Sequence, residues 1–180
     1  MMACDRSDPS RSAPAAGHTL GEPMRTGASR DSFLAAYKAD SLAYVRWSLP
    51  ALARSALGAA ENRGRYDLFL DLNPYYQRGR FDEDTILDVA IQIVEKASGK
   101  RGIMIVHGGD SKVHVLGAGT AFGNGNEDFS WLWVWRVEPR ELHHDVKPSG
   151  VEILYVEKPE SAGGLIWWDG SRYIWTQHGD

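Results

Sequence analysis

The side chains best suited to chemistry are carboxylates and imidazoles that recur at short spacing. Asp82, Asp84 and Asp88 fall within seven positions, near enough for their oxygens to share a hard cation. His107 and His114 flank Gly108-Gly109-Asp110-Ser111. A tight hairpin there pairs 107 with 112 and 105 with 114, which sets both imidazoles on one face as diagonal neighbours. Two imidazoles are half of a tetrahedral zinc site, and only Asp110 stands by to add to them. The expectation is therefore a polar sheet face. His143-His144-Asp145 offers acid–base groups, but without a nucleophile in a recognisable setting. Glu127 and Asp128, next to a Trp-rich strand, are the acids loosely suited to glycan hydrolysis, which needs a flanking pair.

The acidic stretch reads Gly79-Arg80-Phe81-Asp82-Glu83-Asp84-Thr85-Ile86-Leu87-Asp88-Val89-Ala90. It resembles the loop of the FG-GAP or VCBS repeat, in which acids precede an apolar strand. The resemblance implies a calcium site on Asp82, Asp84 and Asp88. Arg80 stands where that loop has its first Asp, and Thr85 replaces a glycine. A guanidinium there could itself neutralise Asp82 and Asp84, so the readings are calcium, an Arg80-organised acidic loop, or a solvated turn. The expectation is weak or absent calcium binding, with Arg80→Asp creating or strengthening a site.

Gly117–Asp128 is a Gly/Asn-rich loop. It lacks the lysine, spacing and following helix of a phosphate-binding loop. Its length makes it a place for partner contact, through Phe122, Asn124, Asn126, Glu127 and Asp128. Trp131, Trp133 and Trp135 alternate with Leu132 and Val134, so a strand would place all three indoles on one face. Trp167, Trp168 and Trp175 come from the corresponding end of a second, repeated segment, and the alternatives are core packing and an exposed aromatic platform for a glycan or a protein partner.

A repeat organises what must position these residues. Val89–Gly108 aligns without a gap on Val151–Gly170, with seven of twenty pairs identical. Units of this kind bury a face against each other, so 89–116 and 151–178 are expected to be matching β-meanders sharing a core. Upstream, Leu42, Val45, Leu49 and Leu52 recur at helical spacing. The segment 31–58 is read as helical from a cap at Asp31-Ser32, broken or restarted at Pro50, and stopped at Gly58. Tyr66–Leu72 reads as a strand ending at Asn73-Pro74, and further strands are expected over 87–95, 102–107, 112–116, 131–137, 150–158, 164–168 and 172–177. The fold class is α+β, mainly antiparallel β, with an N-terminal helix packed on a duplicated meander.

The chain has 180 residues, 43% of them hydrophobic, which favours one core, here placed over 31–180. Residues 1–30, rich in Ser, Pro, Gly and Ala, read as a disordered arm. A net charge of −4 with no basic run gives no footprint for nucleic acid. No stretch approaches the 18 apolar residues of a membrane span. The single cysteine, Cys4, precludes an internal disulfide. Met-Met-Ala-Cys4-Asp5 before this arm resembles the end of a bacterial lipoprotein signal, which implies lipidation of Cys4 and attachment to a membrane through that anchor alone. The whole resembles small envelope lipoproteins that act as lysozyme inhibitors or as immunity partners of effectors. What the resemblance implies is a non-catalytic protein of the periplasm or cell envelope, without a required cofactor, that binds a cell-wall-active enzyme or effector. A carbohydrate-binding module or a carboxylate-dependent glycan hydrolase is the alternative.

Overall fold

A computed structural model describes residues 29–123 and 126–179. Cys4 and the rest of the expected arm up to residue 28, together with Asn124, lie outside the described residues. The chain divides into two units, residues 1–37 and 38–180. Of the first, residues 29–37 are described, and they are helical from Arg30. Ser29 caps this helix by accepting the Ser32 backbone N–H at 3.2 Å, so the cap sits two residues before the expected Asp31.

Helix α1 runs Arg30–Ser48 and buries none of its residues. Pro50 then occupies the N-cap of α2, Ala51–Gly58, where its missing N–H breaks no helical bond. A one-turn helix, α3, Ala60–Arg63, follows. The packing helix is therefore α2, through Ala53 and Ala56, with the corner residue Leu49 and partial help from Leu42 and Val45 at the end of α1. This shifts the expected helix–sheet contact to the C-terminal side of Pro50.

Nine strands form two antiparallel sheets among the described residues. In the first, β1 (Tyr66–Leu68) and β2 (Tyr76–Gly79) lie end to end along one edge of β3 (Asp88–Glu95), which continues to β4 (Arg101–Val106) and β5 (Val113–Gly117). The second runs in chain order: β6 (Val134–Pro139), β7 (Glu152–Lys158), β8 (Ala162–Trp168) and β9 (Tyr173–His178). Strand β2 was not expected, and β1 is shorter than the run 66–72.

Strand β3 is covered on both faces, and it buries Asp88 and Gln92 on the same face as Ala90. Val89, Ile91 and Ile93 pack with Met104 and Val106 against Leu49, Ala53 and Ala56. On the opposite face Ala90, with Ile103, Ile105 and Leu116, meets Leu154, Val156, Ile166 and Trp168 of the second sheet. Ile153 and Leu165 point away from that core and pack with Val146. Each fully buried aliphatic side chain here stabilises the fold by about 1.5–3 kcal/mol.

The two repeat windows fold as meanders of the same topology, and a hairpin follows both Val94 and Val156. Their registers differ. Val94 pairs with Arg101, whereas Val156 pairs with Gly164 rather than Gly163, the alignment partner of Arg101. The first turn holds four residues, 96–99, because the Glu95 N–H donates to Lys100 O; the second holds three, 159–161, between Lys158 and Ala162. One residue of slip exchanges the faces of a strand. Ile103 consequently faces the inter-sheet core, while its counterpart Leu165 faces outward. The sequence tolerates the exchange because both faces of β8 are apolar and covered.

Candidate functional site

The acids of the 79–90 loop accept hydrogen bonds from backbone N–H groups, some of them each other's. Asp88 is fully buried. Its Oδ2 accepts the Phe81 N–H at 2.8 Å and its Oδ1 accepts the Gly108 N–H at 2.8 Å. Asp82 Oδ1 accepts the Asp84 N–H at 3.0 Å, and Asp84 Oδ1 accepts the Ile86 N–H at 2.6 Å. Among the described residues no group of three His, Cys, Asp or Glu is placed to hold a metal ion. Arg80 does not organise the acids either. Its backbone N–H donates to Glu152 Oε2 at 2.7 Å, and its Nε lies 3.5 Å from the same oxygen. The Arg80-centred expectation is overturned because β7 presents a carboxylate on the other side of the loop.

One acid does reach an imidazole. Asp82 Oδ2 lies 3.1 Å from His107 Nδ1, and His107 Nε2 lies 2.8 Å from Tyr173 Oη. Burial raises the pKa of Asp82, and that of Asp88 for the same reason. Burial, then the charges of Asp88 and Asp82, raises that of Tyr173, so its hydroxyl keeps its proton. With Asp82 ionised, His107 donates from Nδ1, and its Nε2 accepts a hydrogen bond from the Tyr173 hydroxyl. His114 packs beside His107 with ring centroids 4.7 Å apart, and Ile105 pairs with His114 as the spacing indicated. Burial, then the neighbouring His107, lowers the His114 pKa to about 4. Trp168 covers both imidazoles edge-on and donates its Nε1–H to Glu83 at 2.9 Å. This array, with His107, Tyr173 and Trp168 buried and His114 half-buried, lies at the seam between the two sheets. It ties the acidic loop and the first sheet to the second sheet.

The open site lies elsewhere, where the loop before β6 meets the β7–β8 turn and the end of β9. Phe122, Phe129, Trp131 and Trp175 form its apolar wall, with Asn126, Lys158, Ser161 and Gln177 around them. The cavity measures about 310 Å³. The four rings touch in a closed circuit, with centroid separations of 6.3 Å (Phe122–Phe129), 5.6 Å (Phe129–Trp131), 5.8 Å (Trp131–Trp175) and 6.4 Å (Trp175–Phe122). Adjacent rings at these separations make a wall. The indole of Trp175 is wedged between two glycines. A Cβ on Gly164 would lie 2.2 Å from its Cζ2, and one on Gly123 would lie 2.9 Å from its Cγ. The Nε1–H groups of both Trp131 and Trp175 are buried and have no hydrogen-bond partner.

The partner residues expected in this loop divide into two roles. Phe122 and Asn126 line the cavity. Glu127 pairs with Lys100, and Asp128 Oδ1 accepts the backbone N–H groups of Arg101 at 2.9 Å and Ser130 at 3.0 Å. These two acids anchor the loop to β4, and neither lines the cavity. The three Trp of 131–135 do not share a strand face, because β6 begins at Val134. Trp131 lines the cavity, Trp133 is exposed, and Trp135 is buried with its Nε1–H on Pro74 O at 2.6 Å. His143 is buried against Glu138 at 2.6 Å, while His144 and Asp145 are exposed. Of the Trp residues that the second repeat contributes, Trp175 is the one that meets Trp131 at the cavity, seated on Gly164, which is invariant between the repeats.

Comparison with protein families, with curated proteins and with solved structures finds no match for this chain.

Proposed function

We propose that this is a non-catalytic binding protein whose recognition site is the aromatic cavity at Trp131 and Trp175, and that the ligand is a saccharide. The observation that carries the reading is the pair of indole N–H groups left without acceptors in the wall. A buried donor without a partner costs about 1–3 kcal/mol, and because both N–H groups are closed to solvent in the unliganded site, a ligand that brings oxygens would engage them by turning the indoles toward the cavity. A sugar ring supplies both an apolar C–H face for the rings and hydroxyl or ring oxygens for the N–H groups. Asn126, Ser161, Gln177 and Lys158 supply the polar rim. The volume is at the small end of ligand pockets, which run from about 300 to 1,000 Å³, and suits one ring of a glycan. No carboxylate is among the residues lining it, so the reading is recognition and not hydrolysis.

An envelope location, as the lipoprotein-like Cys4 segment implies, would put cell-wall glycans within reach. The second reading, an inhibitor or immunity protein acting on a cell-wall enzyme or effector, requires a side chain of that partner to enter the same cavity. Insertion of the 117–128 loop into a partner's cleft is less well supported, because Glu127 and Asp128 hold that loop back on β4.

Titration of the protein with cell-wall and plant glycan fragments, read by indole fluorescence and by amide shifts of the lining residues, tests the reading. Saturable changes confined to Phe122–Trp131 and Gly163–Gln177 are expected. If no saccharide at millimolar concentration moves these signals, the saccharide reading is wrong.

A further inference from the structure

A second concavity lies on the opposite side of the first sheet, where the end of α1, α2 and α3 meet β1 and the end of β3. It measures about 330 Å³. Its floor is apolar, made of Leu49, Leu57 and Tyr66, and its rim carries four cations, Arg46, Arg54, Arg63 and Lys96. The protein as a whole is acidic, so this is a local reversal of sign assembled by the fold from positions up to fifty residues apart.

The cations are poorly compensated. Arg46 and Lys96 share a single carboxylate, Asp67. Arg54 is bound to the carbonyl oxygens of Trp47 at 2.6 Å and Leu49 at 3.0 Å, which fixes its position without neutralising it. Lys96 also donates to the Arg63 carbonyl at 2.8 Å, and the Arg63 guanidinium itself has no acidic partner among the described residues. Four positive charges around one negative charge repel one another, and an incoming anion relieves that repulsion. Three of the four are guanidiniums, which suit planar, bidentate recognition of phosphate or carboxylate.

We propose that this groove binds an organic anion whose head is a phosphate or a carboxylate and whose body is apolar. The head sits among the guanidiniums of Arg46, Arg54 and Arg63, and the body lies on Leu49, Leu57 and Tyr66. The site is separate from the aromatic cavity and does not depend on what that cavity binds.

Calorimetric titration of the full chain with octyl phosphate, octanoate and inorganic phosphate at low salt tests this. Octyl phosphate and octanoate are expected to bind, more tightly than inorganic phosphate, with affinity falling as salt rises toward physiological strength. Arg63→Glu alters an exposed side chain and should leave the unliganded melting temperature unchanged while weakening both amphiphiles about tenfold or more. Arg63→Lys, which keeps the charge but loses the bidentate fork, should bind both amphiphiles more weakly than the wild type and more tightly than Arg63→Glu. Absence of binding by any probe would overturn the proposal, as would an Arg63→Glu protein that binds like the wild type. Equal affinity for inorganic and octyl phosphate would overturn the apolar half of the assignment.

Discussion

His107 Nε2 and Tyr173 Oη lie 2.8 Å apart, and that contact joins the end of β4 in one sheet to the start of β9 in the other. Because His107 holds Asp82 with its other nitrogen, three separate parts of the chain meet at one imidazole. Its two ring nitrogens are both engaged, which leaves none free to ligate a metal. The network is a fastening, and its energetics are testable as such.

Tyr173→Phe removes the hydroxyl while preserving the ring packing against His107, His114 and Trp168. His107 Nε2 is left as a buried acceptor without a donor, at an expected cost of about 1–3 kcal/mol. Urea denaturation of the two proteins measures it. A change under about 0.5 kcal/mol, typical of a surface substitution, would show that the bond contributes nothing net.

His114 makes a contribution to the pH dependence of stability whose sign follows from its burial. Its folded pKa is lowered to about 4 from 6.5, so between those values the unfolded chain binds more protons than the folded one. Stability present above pH 6.5 is therefore lost as pH falls toward 4. Asp82 and Asp88 act in the opposite sense, since burial raises their folded pKa values; their contribution is present below about 3.8 and is lost as pH rises through the folded values. His114→Leu should remove the loss between pH 6.5 and 4, on the order of 1–2 kcal/mol after solvent screening of this half-buried ring. Denaturation midpoints at a series of pH values check this, and parallel profiles for the two proteins would refute it.

Calcium should leave the melting temperature unchanged in the wild type and in Arg80→Asp. The three carboxylates that resemble a calcium loop are each spent on backbone N–H groups or on His107. Arg80 faces Glu152, so its replacement by Asp places two acids together across β7 without completing a cage around Asp82. Melts in calcium against chelator decide it, because a ligand at 100 times its Kd adds about 2.7 kcal/mol. A calcium-dependent rise in either protein would mean that the loop rearranges to bind the ion.

What could be read from the sequence follows from how local each signal is. Pro50 divides the helices because a missing N–H is a property of one residue. The two meanders are visible because strand patterning is short-range, and His107 and His114 are neighbours because one turn sets their register. The slip between the meanders was not legible: it depends on whether a turn holds four residues or three, and both faces of β8 are apolar, so the pattern of Leu165 and Ile166 fits either facing. The aromatic cavity and the cationic groove gather side chains from Phe122 to Gln177 and from Arg46 to Lys96. No local pattern marks such convergence. The resemblance of the 79–90 stretch to a metal loop was local as well, and it could not show that Gly108, twenty residues on, would take up an oxygen of Asp88.

Gly164 gives the sharpest separation between fold and site. It pairs with Val156 and Gln177 in the middle of the second sheet, and its missing Cβ leaves room for Trp175. In Gly164→Ala the new methyl would lie 2.2 Å from Trp175 Cζ2, and the indole must move, since the strand backbone is held on both sides. Moving it breaks the circuit of rings that Trp175 closes with Trp131 and Phe122. Overpacking of this kind typically costs about 1–3 kcal/mol, which should lower the melting point while leaving the β-sheet circular dichroism intact. Saccharide binding should fall far more than stability, and the indole emission should shift as Trp175 changes its surroundings. Trp175→Phe in the wild-type background provides the companion measurement. It keeps a ring on Gly164 but removes one unpartnered N–H, so it should weaken binding about fivefold to tenfold, the worth of a net hydrogen bond, with little loss of stability. If Gly164→Ala binds glycan fragments as well as the wild type does, Trp175 is core and not recognition surface.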